Sequence, residues 1–191
     1  MLFSACSIYS MYEKGNKENT NEKAEEILPD KEKNQSSQNM PKAGEVIEDF
    51  GTYTVSENWS EATELSKRDI TFYLQNGTPT NKPTTNISVS VDKNKYSKEE
   101  AGGFAQAIDR QLRSQVGSLD LKSYSGNGTF TENDYPLIVM EIETEEMKTT
   151  QYYIVGDYRF VMVHLSEYHD ESIKNAEEVA LNIVNSFEWA E

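Results

Sequence analysis

The sequence predicts an α+β domain: a mainly antiparallel six-stranded sheet with helices packed on both faces. Three observations predict it. Most apolar residues alternate with polar ones, as in half-buried strands. Short loops that favour hairpins join several of these segments. Two longer segments repeat apolar residues at helical spacing. The resulting order, β-β-β-α-β-β-β-α, favours neighbouring antiparallel strands with helices laid on the sheet.

Three strands are expected before the first helix. Residues 51–55 form a short one, and residues 70–74 place alternate apolar side chains on one face. Asn76 and Gly77 supply a turn that tolerates positive φ. Residues 86–91 again alternate, with aliphatic side chains inward and serines outward. All three segments are too short for stable helices and therefore favour strands.

The first helix has a defined beginning and end in the sequence. Ser97 and Glu100 have the spacing of a capping box, in which each residue satisfies an amide of the other. Gly117 suits the end of the helix. Its apolar stripe consists of Ala101, Phe104, Ala105, Ile108, Leu112 and Val116. This pattern predicts a helix that packs one face on the sheet.

The second half of the chain predicts a meander of strands. Residues 122–130 and 135–145 come first, followed by a hairpin of residues 151–155 and 158–165. Gly156 at the first loop position favours a type II′ turn. Residues 135–145 carry apolar side chains at both odd and even positions. Such a strand is expected in the centre of the sheet, covered on both faces.

A second helix is expected over residues 171–187. Asp170 precedes it as the N-cap, and Trp189 is expected to seal its end. Its apolar stripe consists of Ile173, Ala176, Ala180, Ile183, Val184 and Phe187. The spacing predicts a helix that packs on the sheet as the first one does.

The first residues of the chain resemble a localisation signal. Residues 2–6 read Leu-Phe-Ser-Ala-Cys, a pattern that resembles the lipobox of bacterial lipoproteins, in which the cysteine receives the lipid. Only five residues precede Cys6, whereas a full signal has a basic region and an apolar stretch of about 7–15 residues. We therefore interpret residues 1–6 as the remnant of a signal whose start lies upstream. The alternative is a cytosolic protein with a free cysteine in its N-terminal tail.

The composition divides the remaining chain into a tether and a domain. Residues 7–45 are rich in Lys, Glu, Asn, Gln and Ser, a composition typical of segments that do not fold alone. A flexible tether of about 40 residues has an rms reach of roughly 35 Å. Residues 46–191 hold twelve Lys or Arg and twenty-five Asp or Glu, a net charge of −13. Such a domain repels nucleic acids and anionic membrane surfaces, so a membrane partner must be reached through a lipid on Cys6.

Several strings in this domain resemble a known group of proteins. They are Asn86-Ile-Ser-Val-Ser-Val91, Asn94-Lys-Tyr-Ser-Lys-Glu-Glu100, Gln111-Leu112, Gln151-Tyr-Tyr-Ile-Val-Gly-Asp-Tyr-Arg-Phe-Val-Met-Val163, Ala176-Glu-Glu and Ile183-Val-Asn-Ser-Phe-Glu-Trp189. The pattern resembles small lipoproteins of Gram-positive bacteria, which are similar in fold to the PsbP family of extrinsic photosystem II subunits. The resemblance covers roughly residues 50–190. It implies a sheet between helices and a non-enzymatic adaptor or binding role, and it transfers no site residue.

Two groups of residues are candidates for chemistry or binding. His164 and His169, with Glu167 and Asp170 nearby, have the ligand types of a metal site. The simpler interpretation is surface histidines and a helix cap, so we expect no metal or cofactor. The second group, Glu141, Glu143, Glu145 and Glu146, suits a calcium site, paired catalytic carboxylates or a solvated acidic stripe. We expect the stripe, which can also dock a basic partner protein.

The sequence thus predicts a non-catalytic lipoprotein on the outer face of the cytoplasmic membrane. No nucleophile, phosphate-binding or metalloprotease motif is present in the sequence. Two alternatives stay open. One is a metal-binding or hydrolytic enzyme that uses His164 and His169, or the four glutamates. The other is an immunity or chaperone lipoprotein whose acidic surface neutralises a basic secreted effector.

Overall fold

A computed structural model describes residues 44–169 and 173–191. Within these residues the chain forms ten strands and two α-helices. The strands are β1 (Glu45–Glu48), β2 (Gly51–Thr54), β3 (Trp59–Glu61), β4 (Ile70–Gln75), β5 (Asn86–Lys93), β6 (Leu121–Phe130), β7 (Pro136–Thr144), β8 (Met147–Gly156), β9 (Arg159–Tyr168) and β10 (Glu188–Trp189). The helices are α1 (Ala101–Val116), preceded by a 3-10 turn at Lys98–Glu100, and α2 (Ala176–Ser186). The architecture is a mixed α+β fold, as the sequence predicted.

The main sheet has seven strands in the order β3-β4-β5-β9-β8-β7-β6, and every neighbouring pair is antiparallel. The prediction of six strands is therefore wrong in number. Four strands of this sheet, β6 to β9, follow α1 at the four segments expected there, whereas the predicted order counted only three. The three residues of β3 supply one edge and are too few to show alternation in the sequence. Meanwhile β2, predicted for this sheet, belongs to another one.

A small second sheet of order β1-β2-β10 joins the two ends of the described chain. Residues 45–48 and 188–189 pair with β2 on its two sides. The hydroxyl groups of Tyr53 and Tyr73 lie 2.8 Å apart and link the small sheet to β4. The amide of Thr54 donates to Ser186 Oγ at 2.9 Å, at the end of α2. These contacts fix both termini of the domain against its core.

The core contains two large apolar clusters that share the central strands. One contains the α1 residues Phe104, Ile108 and Leu112, and the other contains the α2 residues Val179 and Ile183. Residues of β8 divide between them: Tyr153 and Val155 join the α1 cluster, whereas Tyr152 and Ile154 join the α2 cluster. Successive side chains of a strand point to opposite faces. Both faces of β8 therefore contribute to buried packing.

The β8–β9 hairpin is present, but its predicted type II′ turn is wrong. Gly156 pairs with Arg159 as the last residue of β8, so the two loop residues are Asp157 and Tyr158. The positive φ lies at Tyr158, at 57°. Gly156 has another reason to be glycine: an added Cβ would lie 2.9 Å from the ring of Trp189. Packing from the distant C-terminus, and not turn geometry, excludes a side chain here.

The second helix begins later than predicted. It starts at Ala176 and not near residue 171, and its N-cap is Asn175 with a φ of 67°. Asparagine adopts this left-handed conformation more readily than most residues. Asp170, the predicted N-cap, lies outside the described residues. The helix ends at Ser186, and the following Phe187 is fully buried.

Candidate functional site

The predicted anchor, Cys6, and nearly all of the predicted tether lie outside the described residues. Described structure begins at Gly44, whose carbonyl accepts the amide of Val55 at 2.8 Å. Across residues 44–169 and 173–191, neither helix has the length and apolar character needed to cross a membrane. The candidate site in the described part of the chain is therefore the acidic group on β7 and its surroundings.

Glu141 and Glu143 lie two residues apart on β7, so both point to the same face of the sheet. Glu141 stands between Ser125 of β6 and Thr150 of β8, while Glu143 stands between Ser123 and Lys148. Leu137 and Val139, at the preceding alternate positions of β7, contact the α2 cluster. The two carboxylates therefore continue the α2 side of the sheet beyond its apolar part.

The Glu141 carboxylate has two described partners. Lys148 Nζ lies 2.8 Å from Oε1, and Ser125 Oγ donates to Oε2 at 3.1 Å. The hydrogen bond from Lys148 lowers the pKa of Glu141, and the same contact raises the pKa of Lys148. Both groups are charged at neutral pH. The pair thus carries no net charge.

Glu143 reaches toward the same outer strand. Ser123 Oγ donates to its Oε2 at 3.2 Å, and His169 Nε2 lies 3.8 Å from its Oε1. The serines beneath both glutamates are short and exposed. Each carboxylate therefore extends over β6, the outermost strand of the sheet.

The other two predicted glutamates do not continue this stripe. β7 ends at Thr144, so Glu145 and Glu146 lie in the turn before β8 and the expected alternation stops. Glu145 forms an exposed ion pair with Lys122 at 3.0 Å. The carbonyl of Glu146 accepts the amide of His169 at 3.0 Å. These two residues mark the end of the hairpin.

Sequence reasoning did not place Glu167 beside the two glutamates of β7. Glu167 of β9 pairs with Lys148 of β8, which in turn pairs with Glu143. Burial raises the pKa of Glu167, Lys148 lowers it, and the charge of Glu177 on α2 raises it further. The sequence does contain a signal for this placement: Glu167 follows the buried Leu165 by two residues, so the two side chains lie on the same face of β9. Glu141, Glu143 and Glu167, with Lys148 between them, therefore form one surface across β7, β8 and β9, which we call the acidic face.

The two histidines occupy separate environments. His164 is 2% exposed, and its Nε2 lies 3.2 Å from Ser166 Oγ. Burial lowers the pKa of His164 to about 4, so its ring is neutral at pH 7. His169 is partly exposed after β9, where its Nε2 lies 3.3 Å from the carbonyl oxygen of Thr144. No group of three or more His, Cys, Asp or Glu side chains in the described segments is arranged to hold a metal ion.

An open groove of about 580 Å³ runs between α1 and β6. Ala105, Gln106 and Arg110 line its helix side, while Ile138 and Met140 form an apolar floor. Asp109 and Arg113 also line the groove and form an ion pair of 3.0 Å. Tyr124 of β6 completes this contact, because its hydroxyl donates to Asp109 at 3.0 Å and its ring lies under the Arg113 guanidinium.

No family model matches the chain, and no curated protein matches its sequence. Solved structures that are similar in shape include the following two. The solution structure of cyanobacterial PsbP (CyanoP) from Synechocystis sp. PCC 6803 has 9% identity and a TM-score of 0.49, over 82% of this chain and 98% of that one. A crystal structure from Bacteroides thetaiotaomicron VPI-5482 has 12% identity and a TM-score of 0.41, over 74% and 45%. Both identities are low, so neither structure assigns a role to a residue of this chain.

Proposed function

We propose that this chain is a lipid-anchored lipoprotein on the outer face of the cytoplasmic membrane, with a non-catalytic protein-binding role. It belongs, in this proposal, with small Gram-positive lipoproteins that carry a PsbP-like domain. The lipid is attached at Cys6, and the folded domain begins near residue 46. The lipobox-like sequence before Cys6 and the polar composition of residues 7–45 support this arrangement.

The proposed PsbP-like sandwich has one helix on each face of the main sheet. Its support is the division of β8 side chains between the two apolar clusters. Tyr153 lies with Phe104 of α1, whereas Tyr152 lies with Ile183 of α2. Because neighbouring residues of a strand face opposite sides, the helices that they contact are expected on opposite sides as well.

The binding role is carried by one observation: Glu141 and Glu143 present carboxylates beside the outermost strand of a domain with net charge −13. The side chains best suited to acid–base chemistry are engaged in structural contacts. His164 is buried against Ser166, and His169 contacts the β7–β8 turn. An acidic, solvent-accessible face attracts basic proteins and accelerates their association.

Lipidation is tested on protein expressed from its natural gene together with the upstream DNA. Mass spectrometry of the mature N-terminus should show a lipid-modified Cys6, and the protein should fractionate with membranes. A Cys6→Ser variant expressed in the same way should lose the lipid and leave the membrane fraction. An unmodified Met1 on protein recovered from the cytosol would contradict the proposed anchor.

The binding role is tested by site-specific photo-cross-linking in the same cells. A photoreactive residue placed at Ser125, beside the Glu141 carboxylate, should give a discrete protein adduct. The control position is Ser114 on α1, which lies outside the acidic face. Equal cross-linking at both positions would show that the acidic face has no preference for a partner.

A further inference from the structure

β6 is an unusually open edge of the main sheet. In the described part of the chain it pairs on one side only, with β7, over nine residue pairs. Lys122 and the register shift beside it protect only the first residues of β6, whereas residues 123–130 contain no charged residue and no proline, two of the usual means by which proteins protect an edge strand. Phe130 is 65% exposed at its end. By contrast, the opposite edge, β3, has only three residues. The long edge leaves unpaired backbone groups available to another strand.

The α1 side of this edge offers room for side chains. Gly126 and Gly128 face the groove and pair with Met140 and Ile138 of its floor. A Cβ at Gly128 would meet no atom within 4 Å, so this glycine is not required by packing inside the domain. At Gly126, by contrast, an added Cβ would lie 2.9 Å from Met140 Sδ, so the Met140 side chain already packs against this position. Apolar residues of an added strand can therefore enter the groove at Gly128 and contact its apolar floor.

The α2 side of the same edge keeps a net negative charge, because Lys148 balances Glu141 at 2.8 Å and Glu143 adds a further carboxylate. The carboxylates of Glu141 and Glu143 lie over Ser125 and Ser123 and accept hydrogen bonds from them. A strand paired with β6 would lie about 4.8 Å further out. Lysine and arginine side chains on that strand are long enough to cross the short serines and reach the two carboxylates. The net charge of −13 on residues 46–191 likewise favours a positively charged partner.

We propose that β6 binds an extended, basic segment of another protein as an additional strand of the sheet. Alternate side chains of this segment are Lys or Arg and face Glu141 and Glu143. The intervening side chains are apolar and enter the groove at Gly128. Backbone hydrogen bonds provide affinity, and the two different faces select an alternating basic and apolar sequence. The inference rests on the proposed binding role and specifies the partner's chemistry.

The test uses the purified full chain and a fluorescent eight-residue peptide in which Lys and Val alternate. The comparison peptide has the same composition with the four lysines and four valines in separate blocks. The alternating peptide should bind about tenfold more tightly by fluorescence anisotropy. Only this peptide, when extended, places all of its lysines on one face and all of its valines on the other. Added salt should weaken its binding, since the contacting charges are exposed.

Two variants identify the surface. Gly128→Leu should abolish binding without lowering the melting temperature, because its side chain enters the groove and not the core. Glu143→Gln should weaken binding about two- to fivefold, the range of an exposed ion pair. The matched controls are Gly102→Leu, where an added Cβ also meets no atom within 4 Å, and Glu99→Gln in the turn before α1. Both controls should bind as the wild type does.

Equal affinity for the two peptides would overturn the proposal, because it would show attraction by charge alone. Unchanged binding by Gly128→Leu would also overturn it. A concentration-dependent dimer that Gly128→Leu abolishes would assign the edge to a second copy of the chain. Tighter peptide binding after removal of residues 1–43 would assign it to the chain's own N-terminal segment. The assay uses unlipidated protein, so it and the Cys6 lipidation test fail independently of each other.

Discussion

Acidification should destabilise the domain through His164. This residue lies in β9, is 2% exposed and contacts Ser166 Oγ through Nε2. Burial alone lowers its pKa from 6.5 to about 4. Below pH 6.5 the unfolded chain therefore binds a proton that the folded chain does not accept. His164 therefore leaves the free energy of unfolding unaffected above pH 6.5 and lowers it as the pH drops from 6.5 toward 4.

The size of the effect follows from the two pKa values. Each pH unit between them removes about 1.4 kcal/mol from the free energy of unfolding. The loss therefore approaches about 3 kcal/mol at pH 4. That amount is a large part of the roughly 5–15 kcal/mol that stabilises a typical domain.

Urea unfolding of the wild type and of His164→Gln at pH 7.5, 6.5, 5.5 and 4.5 measures this contribution. Glu141 and Glu167 also have shifted pKa values, but they titrate in both proteins, so the difference between the two curves isolates His164. His169→Gln is the control, because His169 lies outside the core and its side chain is 39% exposed. Parallel pH dependences for the wild type and His164→Gln would refute the reasoning.

Four further predictions concern the stability of the domain. Phe104→Ala should cost about 3–5 kcal/mol in urea unfolding, because the ring is buried against three other aromatic rings; Glu145→Ala should cost under about 1 kcal/mol, because its ion pair is exposed. Gly156→Ala should cost about 1–3 kcal/mol in the same assay, because the added Cβ overlaps the Trp189 ring. A chain that starts at Gly44 should unfold at the urea midpoint of the full chain, because it keeps β1 and the bond from Val55 to Gly44; a lower midpoint would contradict this.

The long central elements were predictable because their signals are local and repeated. β8 and β9 carry apolar residues at successive positions across a two-residue loop, which identifies a buried hairpin. The first helix combines an apolar stripe with a cap. Its predicted reciprocal contact is present, since the Ser97 amide donates to Glu100 Oε2 at 3.0 Å. Where several local signals agree, the element follows from the sequence.

The elements that were missed depend on distant partners. β3 and β10 have three and two residues, too few for any periodicity, and they are strands only because β4 and β2 pair with them. The late start of α2 has a similar origin. The apolar pattern includes Ile173, which packs against the α2 cluster but precedes the helix. Apolar burial alone therefore extended the predicted helix too far.

The acidic face shows the same division between local and distant information. Alternation along β7 correctly put Glu141 and Glu143 on one face, but it did not reveal that the strand ends at Thr144 and leaves Glu145 in the turn. Lys148 and Glu167 join them through pairing between strands. Such pairing depends on the register of two hairpins. One residue of slippage would send these side chains to the opposite face.

β6 was predicted as a strand over residues 122–130 although its sequence signal is weak, and this weakness is related to its proposed role. Most of its side chains are exposed, and only Leu121 and Tyr124 are partly buried, so the strand has no buried apolar alternation. Its position depends on backbone pairing with β7 and on the contact between Tyr124 and Asp109. Short serines and glycines at its centre leave both faces accessible, one over carboxylates and one over an apolar floor. The short side chains that weaken its sequence signal also leave room for an incoming strand beside its unpaired edge.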